Sequence, residues 1–296
     1  MREEQYRAIL EARAHRPGEI AAAASGRARP ASVFNEYGRL MMIAADHPAR
    51  GALRAGERAL AMADRTELLD RLCLALSRPG VNGLLGTPDI IEDLLVLGAL
   101  DGKVVVGSMN RGGLAGTVFE IDDRFTAYDA ASLAAAGFEG GKMLLRIDPD
   151  DPATVATVEA CGRAVSELAS RRLLAMVEPF ISHRVDGRVR IDLGAEASIR
   201  AMTVAAGIGN TSAYTWLKVP VVEEMERVMA ATTLPALLLG GEVSTAQDAA
   251  FESWRKALKL PTVQGLVIGR SLLYPPDDDV AAAVDTAVSL LQEGSA

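Results

Sequence analysis

Eight short aliphatic runs, each followed by a stretch of helical periodicity, recur along this 296-residue chain. The runs are 40–45 (LMMIAA), 81–85 (VNGLL), 103–107 (KVVVG), 142–147 (KMLLRI), 173–178 (LLAMVE), 214–219 (YTWLKV), 235–239 (PALLL) and 263–268 (VQGLVI). Helices are expected near 61–77, 88–100, 129–136, 152–170, 194–206, 221–231, 244–258 and 278–293. Runs that are apolar throughout belong to strands buried on both faces, as in a parallel sheet. Helical crossovers between parallel strands are right-handed, and eight such units in about 250 residues predict a closed (β/α)₈ TIM barrel of the α/β class. A doubly wound open sheet is the weaker alternative, because no glycine-rich dinucleotide or P-loop turn occurs.

The chain is expected to be one barrel domain. Residues 1–24 read as an extra N-terminal helix, 25–37 as a connection, and 38–296 as the barrel. Aromatic residues make up only 4% of the chain, so the core must be aliphatic. Lys and Arg total 31 against 39 Asp and Glu, a net charge of −8, which argues against nucleic acid as a partner. No run reaches the roughly 20 apolar residues of a membrane span, and the charged start does not read as a secretory leader. A cytoplasmic protein with no membrane partner is therefore expected. Two cysteines exclude a disulfide framework and a Cys-rich metal site. His15, His47 and His183 share no metal-ligand spacing, so neither a metal nor another cofactor is expected. A homo-oligomer is expected on general grounds, with the helices near 1–24 and 278–293 as candidate interfaces or plugs of the barrel bottom.

In such a barrel the chemistry sits at the carboxyl ends of the strands. The polar residues there are Asp46 after the first run, Lys142 and Arg146 on the fourth, Glu178 on the fifth and Lys218 on the sixth. Lys218 lies in the apolar tip Trp216-Leu217-Lys218-Val219-Pro220. Lost hydration lowers the pKa of such a lysine, and a neutral amine attacks ketones to form a Schiff base. A bland alternative is a lysine whose stem packs while its ammonium reaches solvent. Strand alternation puts Lys142 and Arg146 on one face, so a lumen-facing Lys142 would repel Lys218 and lower its pKa further. Glu178 reads as the proton carrier for carbinolamine dehydration or as a buried salt-bridge partner. Asp46 reads as a carboxylate for a sugar hydroxyl or as a cap.

The last two strand ends suggest phosphate. Gly240 and Gly241 let backbone N–H groups approach an anion, Ser244 opens a helix, and Gly269-Arg270 follows the eighth run. The guanidinium of Arg270 suits phosphoryl oxygens.

Taken in order, Lys142-Met143-Leu144-Leu145-Arg146, Val177-Glu178-Pro179, Leu217-Lys218-Val219-Pro220, Gly241-Glu242-Val243-Ser244 and Ile268-Gly269-Arg270 resemble the class I sugar-phosphate aldolases. The nearest groups are tagatose-1,6-bisphosphate aldolase and archaeal-type fructose-bisphosphate aldolase, and the resemblance runs from about residue 38 to 275. It implies Lys218 as the Schiff-base lysine, Lys142 as the second lysine, Glu178 as the acid/base and Asp46 as the aspartate after the first strand. Gly240, Gly241, Ser244, Gly269 and Arg270 would form the phosphate cradle. Relatives often carry Asp-His-Gly or Asp-Gln-Arg-Gly where this chain has Asp46-His47-Pro48-Ala49-Arg50-Gly51. Arg146 stands where relatives often carry Tyr, which suggests a more anionic substrate such as 5-dehydro-2-deoxygluconate 6-phosphate. The implied reaction is reversible cleavage of a keto sugar phosphate with release of dihydroxyacetone phosphate. The alternatives are a phosphosugar isomerase or epimerase and a non-catalytic sugar-phosphate-binding regulatory protein.

Overall fold

The structure, a computed structural model, describes residues 2–241, 243 and 247–294. Its strands are β1 (Leu40–Ala45), β2 (Gly83–Gly86), β3 (Val104–Ser108), β4 (Gly140–Ile147), β5 (Leu174–Val185), β6 (Arg188–Asp192), β7 (Thr215–Pro220), β8 (Ala236–Leu239) and β9 (Val263–Ile268). All but β6 are parallel neighbours in the ring β1-β2-β3-β4-β5-β7-β8-β9, and β9 returns to β1 through Leu40↔Gly265. This is a (β/α)₈ barrel. At the seam a Cβ on Gly265 would stand 1.9 Å from the Leu40 carbonyl oxygen, so only glycine lets the two strands close.

Alternation sorts the side chains. Leu40, Met42, Leu85, Val106, Met176, Leu237 and Val267 form a core inside the barrel. Their neighbours Met41, Ile43, Val105, Met143, Val177 and Leu217 face outward into the layer beneath the helices. On β4, β5 and β7 the inward parity includes Lys142, Glu178 and Lys218, beside Met176 and Trp216.

The helices are α1 (Glu3–His15), α2 (Gly18–Gly26), α3 (Arg65–Ser77), α4 (Pro88–Val96), α5 (Ala130–Ala135), α6 (Ala153–Ser170), α7 (Ala195–Gly207), α8 (Met225–Met229), α9 (Gln247–Ala257), α10 (Arg270–Leu273) and α11 (Val280–Glu293). Several expected boundaries are corrected. The single helix over 1–24 is two, because Arg16 precedes Pro17 and is driven out of the helical region, to φ −136° and ψ 54°. The helix expected from 61 starts at Arg65, where the Asp64 side chain caps it by accepting the Glu67 N–H at 2.8 Å. The helix expected over 221–231 shrinks to α8, entered through left-handed Glu224. Beyond Glu178, β5 runs on to Val185 and returns as β6 through Asp186 and Gly187, both at positive φ, which is the tight turn of a twisted hairpin.

The barrel bottom is closed by the connection before β1, not by α1 or α11. Arg27 is buried there, donates to the Lys103 and Gly137 carbonyls at 2.6 and 2.7 Å, and pairs with Glu139 at 2.9 Å. Val33 packs on the inner core, and the Phe34 ring lies 5.7 Å from that of Trp216. Cys73 and Cys161 are free thiols. Among the described residues, no helix is long and apolar enough to cross a membrane.

Candidate active site

Lys142 on β4 pairs across the sheet with Met176, and Met176 with Trp216. Glu178 and Lys218 therefore stand one inward position nearer the carboxyl end, and Lys142 rises toward them from below. The Lys218 Nζ donates to Glu178 Oε1 at 2.6 Å. Lys142 forms an ion pair with Glu178 Oε2 and donates to Asp46 Oδ2 at 3.1 Å. Asp46 is only 1% exposed, Lys142 0% and Lys218 4%. The structure thus joins four of the residues singled out in the sequence into one buried chain, Asp46–Lys142–Glu178–Lys218.

A fifth member comes from the loop after β3. Arg111 is buried, pairs with Asp46, and donates from Nε to Ser108 Oγ at 2.9 Å. The loop is held in place by Asn110, which accepts the Leu144 N–H at 2.7 Å and donates to the Leu144 carbonyl at 2.6 Å. Residues 108–127 carry neither strand nor helix periodicity in the sequence, so nothing there places Arg111 in the site. The one available signal was a run of charges (Arg111, Glu120, Asp122, Asp123, Arg124) within them.

Three cations and two carboxylates now share a water-poor volume. Burial is the first cause lowering the Lys142 pKa well below the ordinary lysine value, with the Arg111 charge next and Glu178 opposing. Burial also lowers Lys218, against the pull of Glu178. Burial raises Glu178, but Lys142 and Lys218 together hold its carboxyl well below the ordinary range. Even Arg111 is pulled down, to about 10, chiefly by burial.

Arg146 is engaged elsewhere. It is 1% exposed, and its guanidinium grips Asp123 with bonds of 2.8 and 2.6 Å and donates to the Glu120 carbonyl. Asp123 is fully buried, and Arg146 is the cation paired with it among the described residues. Replacing Arg146 with methionine is expected to cost about 3 kcal/mol of unfolding free energy by stranding that carboxylate. Urea unfolding measures it, and a variant as stable as the parent would show that Asp123 needs no such partner.

The strand ends across the mouth bring Gly240, Gly241, Gly269 and Arg270 together. A Cβ on Gly240 would lie 2.7 Å from both Ile268 and Ser271 Oγ, and one on Gly269 would lie 2.6 Å from the Ala44 carbonyl oxygen. Gly241 has φ +67°, and no atom of the described residues lies within 4 Å of where its Cβ would stand. Arg270 donates to the Arg54 carbonyl at 3.2 Å. Ser271, which sequence reasoning missed, places a buried hydroxyl here that has no hydrogen-bond partner among the described residues. Ser244 lies outside the described residues. His47 stands beside Gly269, its Nδ1 3.8 Å from Asp46 Oδ1, and among the described residues neither of these buried atoms has a hydrogen-bond partner. Burial, then Arg270 and Lys218, hold its imidazole well below the ordinary value, hence neutral.

Residues 38–288 match the profile described as Cgl0159-like. The chain belongs to the Cgl0159-like family. It is similar to Cgl0159 from Corynebacterium glutamicum, with 53% identity over 98% of each chain and a TM-score of 0.96. It is also similar to an archaeal fructose-1,6-bisphosphate aldolase whose catalytic lysine is covalently bound to the carbinolamine intermediate of its substrate. That identity is 16%, over 92% of this chain and 99% of the other, with a TM-score of 0.65. A fructose-bisphosphate aldolase from Slackia heliotrinireducens DSM 20476 is 15% identical over 98% of this chain and 91% of its own, with a TM-score of 0.57. The two aldolases share the barrel fold with this member of the Cgl0159-like family. No curated protein matches the chain.

Proposed function

We propose that this member of the Cgl0159-like family is a class I aldolase that cleaves a keto sugar phosphate through an imine on Lys218. One observation carries the reading. Among the described residues, Lys142, Lys218 and Arg111 form their ion pairs with Glu178 and Asp46 alone, in a buried cluster. A net buried charge is costly, and arginine keeps its proton at neutral pH, so one lysine gives its proton up. A neutral amine is what imine chemistry requires. Lys142 is sealed between two carboxylates, whereas Lys218 stands nearer the mouth and offers the reachable nitrogen. The aldolase likeness adds a barrel on which such chemistry occurs.

In this reading the Lys218 nitrogen adds to the substrate ketone carbon to give a carbinolamine. A proton relayed through Glu178 and Lys142 reaches the hydroxyl, which leaves as water. The resulting iminium accepts the electron pair of the breaking carbon–carbon bond and becomes an enamine. Asp46 or a water takes the proton from the hydroxyl on the departing aldehyde. Protonation of the enamine and hydrolysis then release the three-carbon ketone phosphate and restore the amine. Gly240, Gly241, Gly269, Arg270 and the Ser271 hydroxyl would hold a phosphate across the mouth. Arg146, engaged by Asp123, is left to support the loop that carries Arg111. A bisphosphate or a keto sugar acid phosphate both remain substrates to test.

Incubation with dihydroxyacetone phosphate and borohydride, followed by peptide mass mapping, tests the reading. A reduced three-carbon phosphate adduct on Lys218 is expected. An unmodified protein, or adducts on surface lysines alone, would leave an isomerase-type reaction or simple ligand binding in its place.

A further inference from the structure

Folding assembles a donor set that the spacing of residues along the chain hides. Asp148 and Asp150 follow β4, and His183 lies on the part of β5 that extends beyond the barrel. A carboxylate oxygen from each aspartate and an imidazole nitrogen of His183 all lie within 4.8 Å of one another. Asp148 is 2% exposed. Its carboxylate accepts the Asp150 N–H at 3.0 Å. Among the described residues, no lysine or arginine forms an ion pair with Asp148 or Asp150, and the nearby Arg184 is taken by Asp151 at 3.0 Å.

A buried carboxylate with a second carboxylate beside it and no counter-cation is unfavourable unless something positive joins it. One imidazole and two carboxylates are a donor set for a divalent first-row cation. We propose that Asp148, Asp150 and His183 bind a divalent cation of the Zn²⁺ type, which ties the β5–β6 hairpin to the loop entering α6. Bonds of about 2.0–2.2 Å put ligand atoms of one tetrahedron roughly 3.5 Å apart, so the groups draw in by about 1 Å. Asp150 and His183 have room to do so, since both side chains are exposed and His183 rides on a two-stranded extension. Water fills the remaining position. The role is structural: the ion takes no part in the lysine chemistry, and the site stands or falls independently of the aldolase reading.

Zn²⁺ titrated into the EDTA-treated full chain, followed by calorimetry and by thermal unfolding, tests this. One site and a rise in Tm are expected, with affinity reduced at least about 10-fold in both Asp148→Asn and His183→Gln. Co²⁺ in place of Zn²⁺ should give visible absorption that His183→Gln removes. His183→Gln changes an exposed side chain and keeps the test available if Asp148→Asn does not fold. It should also leave borohydride trapping on Lys218 unchanged. No Zn²⁺ binding by the parent, or equal binding by His183→Gln, overturns the proposal.

Discussion

Lys218→Met is expected to abolish the borohydride-trapped adduct and to lower cleavage by at least about 10⁴-fold, the scale on which loss of a covalent nucleophile registers. The substitution is chosen so that the loss is chemical. Methionine keeps most of the lysine stem and its packing against the strand tip. Glu178 retains Lys142 as a partner, so no carboxylate is stranded. With Lys218 neutral, Lys142 and Arg111 already balance Glu178 and Asp46, and the exchange leaves that balance unchanged. Stability should therefore change little, within about 1 kcal/mol on the scale of volume-conserving core exchanges. Lys142 does not take over the chemistry, because it is fully enclosed between Asp46 and Glu178. Cleavage in the variant at more than about a hundredth of the parental rate would mean that the electrons of the breaking bond go somewhere other than a Lys218 iminium.

The part of this cluster legible in the sequence is the part that obeys strand alternation. Lys142, Glu178 and Lys218 stand in runs that are mostly apolar, and the two-residue period puts each on the lumen face. Asp46 follows the first run directly and could be placed the same way. Arg111 and Asp123 come from a loop with no period, so their burial depends on the turns and contacts of 108–127. Arg146 shows the complementary gap. Its face was readable from β4, but its partner was not, and the partner decides whether its charge is available to a ligand. The β5–β6 hairpin escaped notice because Arg188–Asp192 is largely exposed and carries charge at three of its five positions. The barrel itself was readable because each strand is buried on both faces, which leaves an unbroken apolar signature.

Glu178→Gln is expected to reduce cleavage by roughly 10²–10⁴-fold, the usual contribution of a positioned acid or base. It should also change how stability depends on pH, which a simple packing defect would not do. Among the described residues, Gln at 178 leaves Asp46 as the one carboxylate ion-paired within the cluster of Arg111, Lys142 and Lys218, so both lysines are driven to fold neutral. The unfolded chain still protonates them, with pKa values near about 10.4. Between the lowered folded pKa and that value, the unfolded state binds more protons than the native state, so stability rises with pH. Each lysine held neutral contributes a slope of about 1.4 kcal/mol per pH unit in this window. The parent keeps one lysine charged against Glu178 and should show about half the slope of the variant. Urea unfolding at pH 7, 8 and 9 should therefore find Glu178→Gln least stable relative to the parent at pH 7, with the gap closing as pH rises. A deficit that stays constant from pH 7 to 9 would show that Glu178 does not hold a lysine proton in the folded protein, and the proton relay proposed for carbinolamine dehydration would lose its donor.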